Sequence, residues 1–124
     1  MIKNTKILIV DDDRSIGEML QMLLEMNGYE VIFSQEPGKT EENITAHGTD
    51  LVLLDMLISG VNGTDVCARI RSDKNISQVS ILMMSALHDA GKRCKTAGAN
   101  DFIAKPFEMD ELLQKINKCT MGIG

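Results

Sequence analysis

Tryptophan is absent from this chain of 124 residues, and Tyr29, Phe33, Phe102 and Phe107 are its only aromatic side chains besides histidine. That leaves little material for the base-stacking platforms that hold single-stranded nucleic acid. Positive charge is also short. Against 18 Asp and Glu stand 13 Lys and Arg, and the net charge of -5 opposes the phosphate neutralisation that non-specific nucleic-acid binding requires. No direct nucleic-acid binding by this domain is expected. Cys67, Cys94 and Cys119 are odd in number, widely spaced and without a Cys-x-x-Cys pair, which excludes a disulfide framework and gives no zinc motif. A reducing cytoplasm suits them. Near the N-terminus the apolar run Ile7 to Val10 is cut off by three aspartates, too short for a signal peptide or a membrane span. The expectation is a cytoplasmic protein without membrane contact.

What the chain does contain is the 44% apolar and 25% charged composition of an ordinary globular domain. Its prolines are Pro37 and Pro106, and no linker or repeat divides it, so one domain is expected over 1–124 with a core of about 5–119. Short apolar runs recur: Ile7 to Val10, Leu51 to Leu54, Val79 with Ile81 to Met84, and Phe102 to Ala104. Runs without polar alternation indicate strands covered on both faces, as in a parallel sheet. Glu30 to Phe33 reads as a weaker edge strand. Ile16, Leu20, Leu23, Leu24 and Asn27 fall on one face of a helix with Asp13 or Ser15 as N-cap and Gly28 as its stop. Met109, Leu112, Leu113 and Ile116 mark a second helix; Thr64 to Arg71 and Asp89 to Ala97 fit two more. Pro37 to Ala46, supported only by Ile44 and Ala46, is the faintest helix, with Pro37 suited to its first turn. Five repeats of strand then helix predict an α/β doubly wound sheet, with helices on both faces and function at the carboxyl ends of the strands.

Those ends carry Asp11, Asp12 and Asp13 after strand one, Asp55 after the central strand, Ser85 with Ala86, and Lys105 with Pro106. Carboxylates gathered within about 5 Å repel by a few kcal/mol per pair at an effective dielectric near 20, so a hard divalent cation such as Mg2+ is implied, opposed by Lys105. A phosphate bound directly would want a glycine-rich turn after strand one; three acidic residues there admit phosphate only through a metal. Asp55, alone at the end of the central strand, is then placed to attack phosphorus and form an acyl phosphate, with the metal, Lys105 and the Ser85 hydroxyl stabilising the equatorial oxygens.

These residues, together with Asn62-Gly63 and the run Ala97-Gly-Ala-Asn-Asp-Phe-Ile-Ala-Lys-Pro-Phe107, resemble the response-regulator receiver domains of two-component signalling over nearly the whole chain. The resemblance implies a five-stranded parallel sheet of flavodoxin-like order 2-1-3-4-5. It implies that Asp55 is the phosphoacceptor, that Asp12 and the Leu57 carbonyl ligate Mg2+ directly and that Asp11 does so through water. It makes Ser85 and Phe102 the switch pair and the Lys105-Pro106 bond cis. A histidine kinase or histidine phosphotransfer protein would be the donor. The response would be binding to a downstream protein, or action on an output domain outside this chain, with phosphorylation-dependent homodimerisation as a further form of output. The chain departs from the family at Ser59, where proline is frequent, which predicts a more mobile loop after the central strand. It also has apolar Leu57 and Leu87 where the hydrolytic water passes, which predicts slow self-dephosphorylation.

Blander readings accompany these. Asp13 is expected to cap a helix rather than bind metal, His47 and His88 to lie on the surface, and Lys92, Arg93 and Lys95 to form a solvated basic face. Most of the nine methionines are core filler, although Met22 and Met26 sit on the flank of the first helix, where receivers dock their phosphodonor. The expected protein is a regulatory phosphoacceptor and not an enzyme. A small aspartyl-phosphate phosphatase is the alternative, opposed by Leu57 where such enzymes carry a second acid. Flavin-dependent electron transfer is a third reading, opposed by the acidic turn after strand one.

Overall fold

The computed structural model describes residues 4–121. The expected core of 5–119 lies inside that range, whereas the expected domain limits at 1 and 124 lie outside the described residues. In chain order the elements are β1 (Lys6–Val10), α1 (Arg14–Met26), β2 (Glu30–Ser34), a 3-10 turn (Pro37–Lys39), α2 (Thr40–His47) and β3 (Leu51–Asp55). A short hairpin follows, β4 (Leu57–Ile58) and β5 (Val61–Asn62), and then α3 (Gly63–Ser72), β6 (Ser80–Ser85), α4 (Gly91–Ala97), β7 (Asp101–Ala104) and α5 (Met109–Thr120). The five long strands pair in parallel in the order β2-β1-β3-β6-β7, the expected order once the hairpin strands are left out of the count.

The cause of this architecture is burial on two sides. Leu51 to Leu54 of β3 and Ile81 to Met84 of β6 are fully buried, alternate residues entering one of two apolar clusters. One cluster lies under α1 and α5, with Leu20, Leu24, Leu112 and Ile116; the other lies under α2, α3 and α4, with Ile44, Val66, Ile70 and Cys94. Each such side chain contributes about 1.5–3 kcal/mol, enough for the central strands to hold an unfavourable cluster of charge at their ends.

Helix ends follow local chemistry. The Asp13 carboxylate accepts from the Ile16 amide at 3.1 Å and caps α1, as expected. Asn27, placed by its spacing on the apolar stripe, is instead exposed, the C-cap of α1, and its side-chain amide donates to the Leu23 carbonyl at 2.8 Å. The helix expected from Asp89 begins at Gly91, and Val79 precedes its strand. Over Pro37 to Ala46 the chain forms a 3-10 turn with Pro37 at its start, then α2; Ala46 is exposed, and Thr40 joins Ile44 as the buried pair. Gly17 is required by close packing, since a Cβ there would collide with the Phe33 ring on β2.

Candidate functional site

Strand register brings the polar residues together. Val10 pairs with Leu54, Asp55 with Met84 and Ser85 with Ala104, so the residues that follow, Asp11, Met56 and Lys105, emerge along one edge. The ladder runs one step further there: the Asp11 amide donates to the Ser34 carbonyl at 3.2 Å, the Met56 amide to Met84 at 2.8 Å and the Lys105 amide to Ser85 at 2.7 Å. Gly63, at the start of α3, donates to the Met56 carbonyl at 2.6 Å, and any Cβ at 63 would strike the Asp55 carbonyl. Gly63 is thus what lets α3 begin against the end of β3, since Asn62 at the N-cap makes no side-chain capping bond.

At this edge the carboxylates of Asp11, Asp12 and Asp55 each place an oxygen within 4.8 Å of the others. Lys105 Nζ lies 3.1 Å from Asp11 Oδ2 and 3.4 Å from Asp55 Oδ1, joining the two from across the pocket. Each carboxylate also accepts one main-chain amide: Asp11 from Asp13 at 2.9 Å, Asp55 from Met56 at 2.9 Å, and Asp12 from Ser59 at 2.8 Å. Asp11 is wholly buried and Asp12 exposed.

Three carboxylates against one ammonium leave two surplus negative charges, and a like-charged pair at this separation costs about 3 kcal/mol at an effective dielectric near 20. The Asp55 carboxyl feels this repulsion on top of its burial. Burial first, and then the neighbouring Asp11 charge, push its pKa from 3.8 to about 6, against the pull of Lys105 and the Met56 amide. For Lys105, burial acts against the ammonium, but the Asp55 and Asp11 charges and its hydrogen bonds to both outweigh it and raise its pKa. Oxygen donors of this charge and spacing fit a hard divalent cation.

Beside the carboxylates opens a cavity of about 470 Å³, lined by Asp55, Leu57, Asn62, Ser85, Leu87, Arg93 and Lys105 among others. The Ser85 hydroxyl accepts the Leu87 amide at 3.0 Å. Phe102 is not among the residues lining the cavity; its half-buried ring lies against Gly91 at the start of α4, where an added Cβ would come within 3.4 Å of it. The Lys105-Pro106 bond is cis. His47 and His88 are exposed, as expected.

Lys92, Arg93 and Lys95 are exposed, as expected of a solvated basic face, and Arg93 also lines the cavity. The loop after β3 is a paired hairpin, with Leu57 opposite Asn62 and Ile58 opposite Val61, turned through Ser59 at φ 51° and Gly60 at φ 81°. Positive φ at both central residues is the tight turn that suits the twist of a β-hairpin, and proline could not take the first position. The departure from the family at Ser59 therefore permits a tight turn in the loop that was expected to be more mobile. On α1, Met22 and Met26 are exposed, and Met19 joins them on the same flank.

Comparison with known proteins agrees with this geometry. The response regulator receiver domain family matches residues 7–117. The chain is 33% identical over 113 residues to the DNA-binding dual master transcriptional regulator RpaA of Synechocystis, a match covering 90% of this chain and 47% of that protein. It thus spans about half the length of the curated relatives it matches. Among solved structures, the BeF3-activated N-terminal receiver domain of Klebsiella pneumoniae RstA superposes with a TM-score of 0.86 at 26% identity, covering 94% of this chain and 99% of that one. Response regulator TrrA of Thermotoga maritima, in complex with Mg2+-BeF, superposes with a TM-score of 0.82 at 29% identity, covering 93% and 98%. Fold, acidic pocket and relatives agree: the chain belongs to the response regulator receiver domains of two-component systems.

Proposed function

We propose that this domain, which we take to span 1–124, is a phosphoacceptor switch in which Asp55 receives a phosphoryl group in the presence of Mg2+. The observation that carries the reading is the bridge of Lys105 Nζ to Asp11 at 3.1 Å and Asp55 at 3.4 Å beside a third carboxylate. Asp12, Asp55 and the Leu57 carbonyl would hold Mg2+ directly and Asp11 through water, and the ion would supply the positive charge that lets a phosphoryl group enter an acidic pocket. One carboxylate oxygen of Asp55 attacks phosphorus as the bond from phosphorus to the donor breaks, the donor leaving with that electron pair. Lys105 offsets charge on the transferred oxygens from the opposite side. A phosphohistidine of a kinase or phosphotransfer protein fits as donor, and the exposed methionines of α1 offer it an adaptable apolar contact.

The output is binding and not turnover. On phosphorylation the Ser85 hydroxyl turns from its bond with the Leu87 amide to the phosphoryl oxygens, and the Phe102 ring follows inward. The face built by α4, β7 and α5 changes with it. A downstream protein, an output domain or a second copy of this chain would read that face. Nucleic acid is not the domain's own ligand, given its net charge of -5. Among the described residues no helix is long and apolar enough to cross a membrane, and the action proposed here is cytoplasmic.

Incubation with acetyl phosphate and Mg2+ tests this directly. Mass spectrometry is expected to show one added phosphoryl group on the native chain and none on Asp55→Asn. An unmodified native chain overturns the proposal, and sustained phosphate release at enzyme-like rates replaces it with the phosphatase reading.

A further inference from the structure

The three clustered carboxylates are held in unequal ways. Asp11 and Asp55 are fixed by amides two and one residues along their own chain segment, those of Asp13 and Met56. Asp12 depends on an amide 47 residues away, that of Ser59 at 2.8 Å. Asp12 is also the exposed member of the three, on the turn between β1 and α1, with two larger-burial neighbours of like charge within 4.8 Å. With nothing to hold it, repulsion would turn this side chain outward to water, since an exposed aspartate loses little by rotating. The Gln35 side-chain amide fixes only its main chain, donating to the Asp12 carbonyl at 3.1 Å.

We infer that the main-chain amide of Ser59, presented by the tight turn of the β4–β5 hairpin, is a positioning group that holds the Asp12 carboxylate in place for a divalent cation. The inference rests on the proposed cation site and adds to it a dependence on the hairpin. A carboxylate has about four lone-pair sites, so one amide at Oδ2 leaves Oδ1 free for a metal. The turn makes the contact available. Ser59 sits at φ 51°, and proline at 59 would forbid that φ and remove the N–H together. Glycine keeps both. The serine side chain is not required; what matters is a residue at 59 with an amide proton and access to positive φ.

Calorimetric titration of the full chain with Mg2+ alone, in a chelator-cleared buffer, is the test. Ser59→Gly is expected to bind Mg2+ within about twofold of the native chain, and Ser59→Pro to bind about fivefold or more weakly, the scale of one charge-assisted hydrogen bond partly recovered by water. Equal affinity of the proline variant, with its thermal unfolding unchanged, overturns the inference. Should Ser59→Pro fail to fold, the metal-free Asp12→Ala variant decides: the Ser59 amide proton is expected to move upfield and to exchange faster with solvent. An unchanged Ser59 resonance in Asp12→Ala overturns the inference equally. A native chain that binds no Mg2+ at all while its Ser59 resonance responds to Asp12→Ala would sink the cation site and not the contact.

Discussion

Two polar clusters sit at opposite ends of the sheet, and they are built on opposite terms. Where β6 and β7 begin, the Arg71 guanidinium of α3 donates to the Gly98 carbonyl at 2.8 Å, to the Ser77 carbonyl at 2.8 Å, to the Val79 carbonyl and to Asn100 Oδ1 at 2.9 Å. Asn100 Oδ1 also accepts the Ile81 amide at 2.8 Å, tying the start of β6 to the loop before β7. A cation with many donors meets neutral acceptors. Where the strands end, three carboxylates meet one ammonium. Among the described residues no buried side-chain nitrogen or oxygen lacks a hydrogen-bond partner, so the two clusters differ in charge and not in satisfaction. The first spreads one positive charge over neutral oxygens that tie neighbouring loops together. The second leaves two negative charges unmatched, and that surplus makes it a site.

The comparison breaks most readily at Arg71. Arg71→Ala strips donors from three carbonyls and Asn100 and is expected to cost about 2–4 kcal/mol, read as a lowered denaturation midpoint at unchanged denaturant slope. Asp55→Asn should do the reverse. The folded state lifts the Asp55 pKa from 3.8 to about 6, so between those values it binds a proton that the unfolded chain has released. Stability of the metal-free protein therefore falls as pH rises through about 4 to 6, and the deficit is complete at pH 7. Removing the charge is expected to stabilise the metal-free protein at pH 7 by order 1–3 kcal/mol and to flatten its pH profile across that window. Asp55→Asn at or below native stability in chelator would mean that the carboxylates are not in conflict.

The same contrast explains what could be read before folding. Strands such as Leu51 to Leu54 were legible because two-sided burial leaves an unbroken apolar run, and Asp55 was legible as the charge that ends it. The acid pocket could be assembled from strand ends alone, since parallel order carries every carboxyl end to one edge. Arg93 was legible as a solvated residue but not as part of the cavity rim, because which side of α4 borders the pocket is a matter of tertiary placement. The β4–β5 hairpin was hidden for a different reason. Ser59-Gly60 is not among the strongest turn pairs, and the missing proline points to mobility without revealing that it also permits positive φ and an amide for Asp12.

A smaller effect concerns the rim of the charged end. Leu57 and Leu87, both exposed, line the cavity with apolar surface and offer nothing to orient an attacking water. Leu57→Asn combined with Leu87→Glu is expected to speed loss of phosphate from Asp55 by about tenfold, or about 1.4 kcal/mol of barrier, measured as the decay of the phosphorylated mass after donor removal. An unchanged half-life would place control of the water elsewhere.

The smallest effect sharpens the boundary between the two kinds of charge. Asp13 stands next to Asp12 in a run of three acids, yet its side chain caps α1 by accepting the Ile16 amide at 3.1 Å and takes no part in the carboxylate cluster. Its only service to that cluster is its main-chain amide on Asp11, which any residue but proline retains. Asp13→Ala is thus expected to lower stability by about 1 kcal/mol through loss of the cap, Asp13→Ser to restore most of it, and both to leave Mg2+ affinity within about twofold of native. Weaker Mg2+ binding in the alanine variant but not the serine variant would show that the cap itself holds the β1–α1 turn open to the cation. Weakening in both would bring Asp13 into the site, and surplus charge rather than three particular carboxylates would then define it.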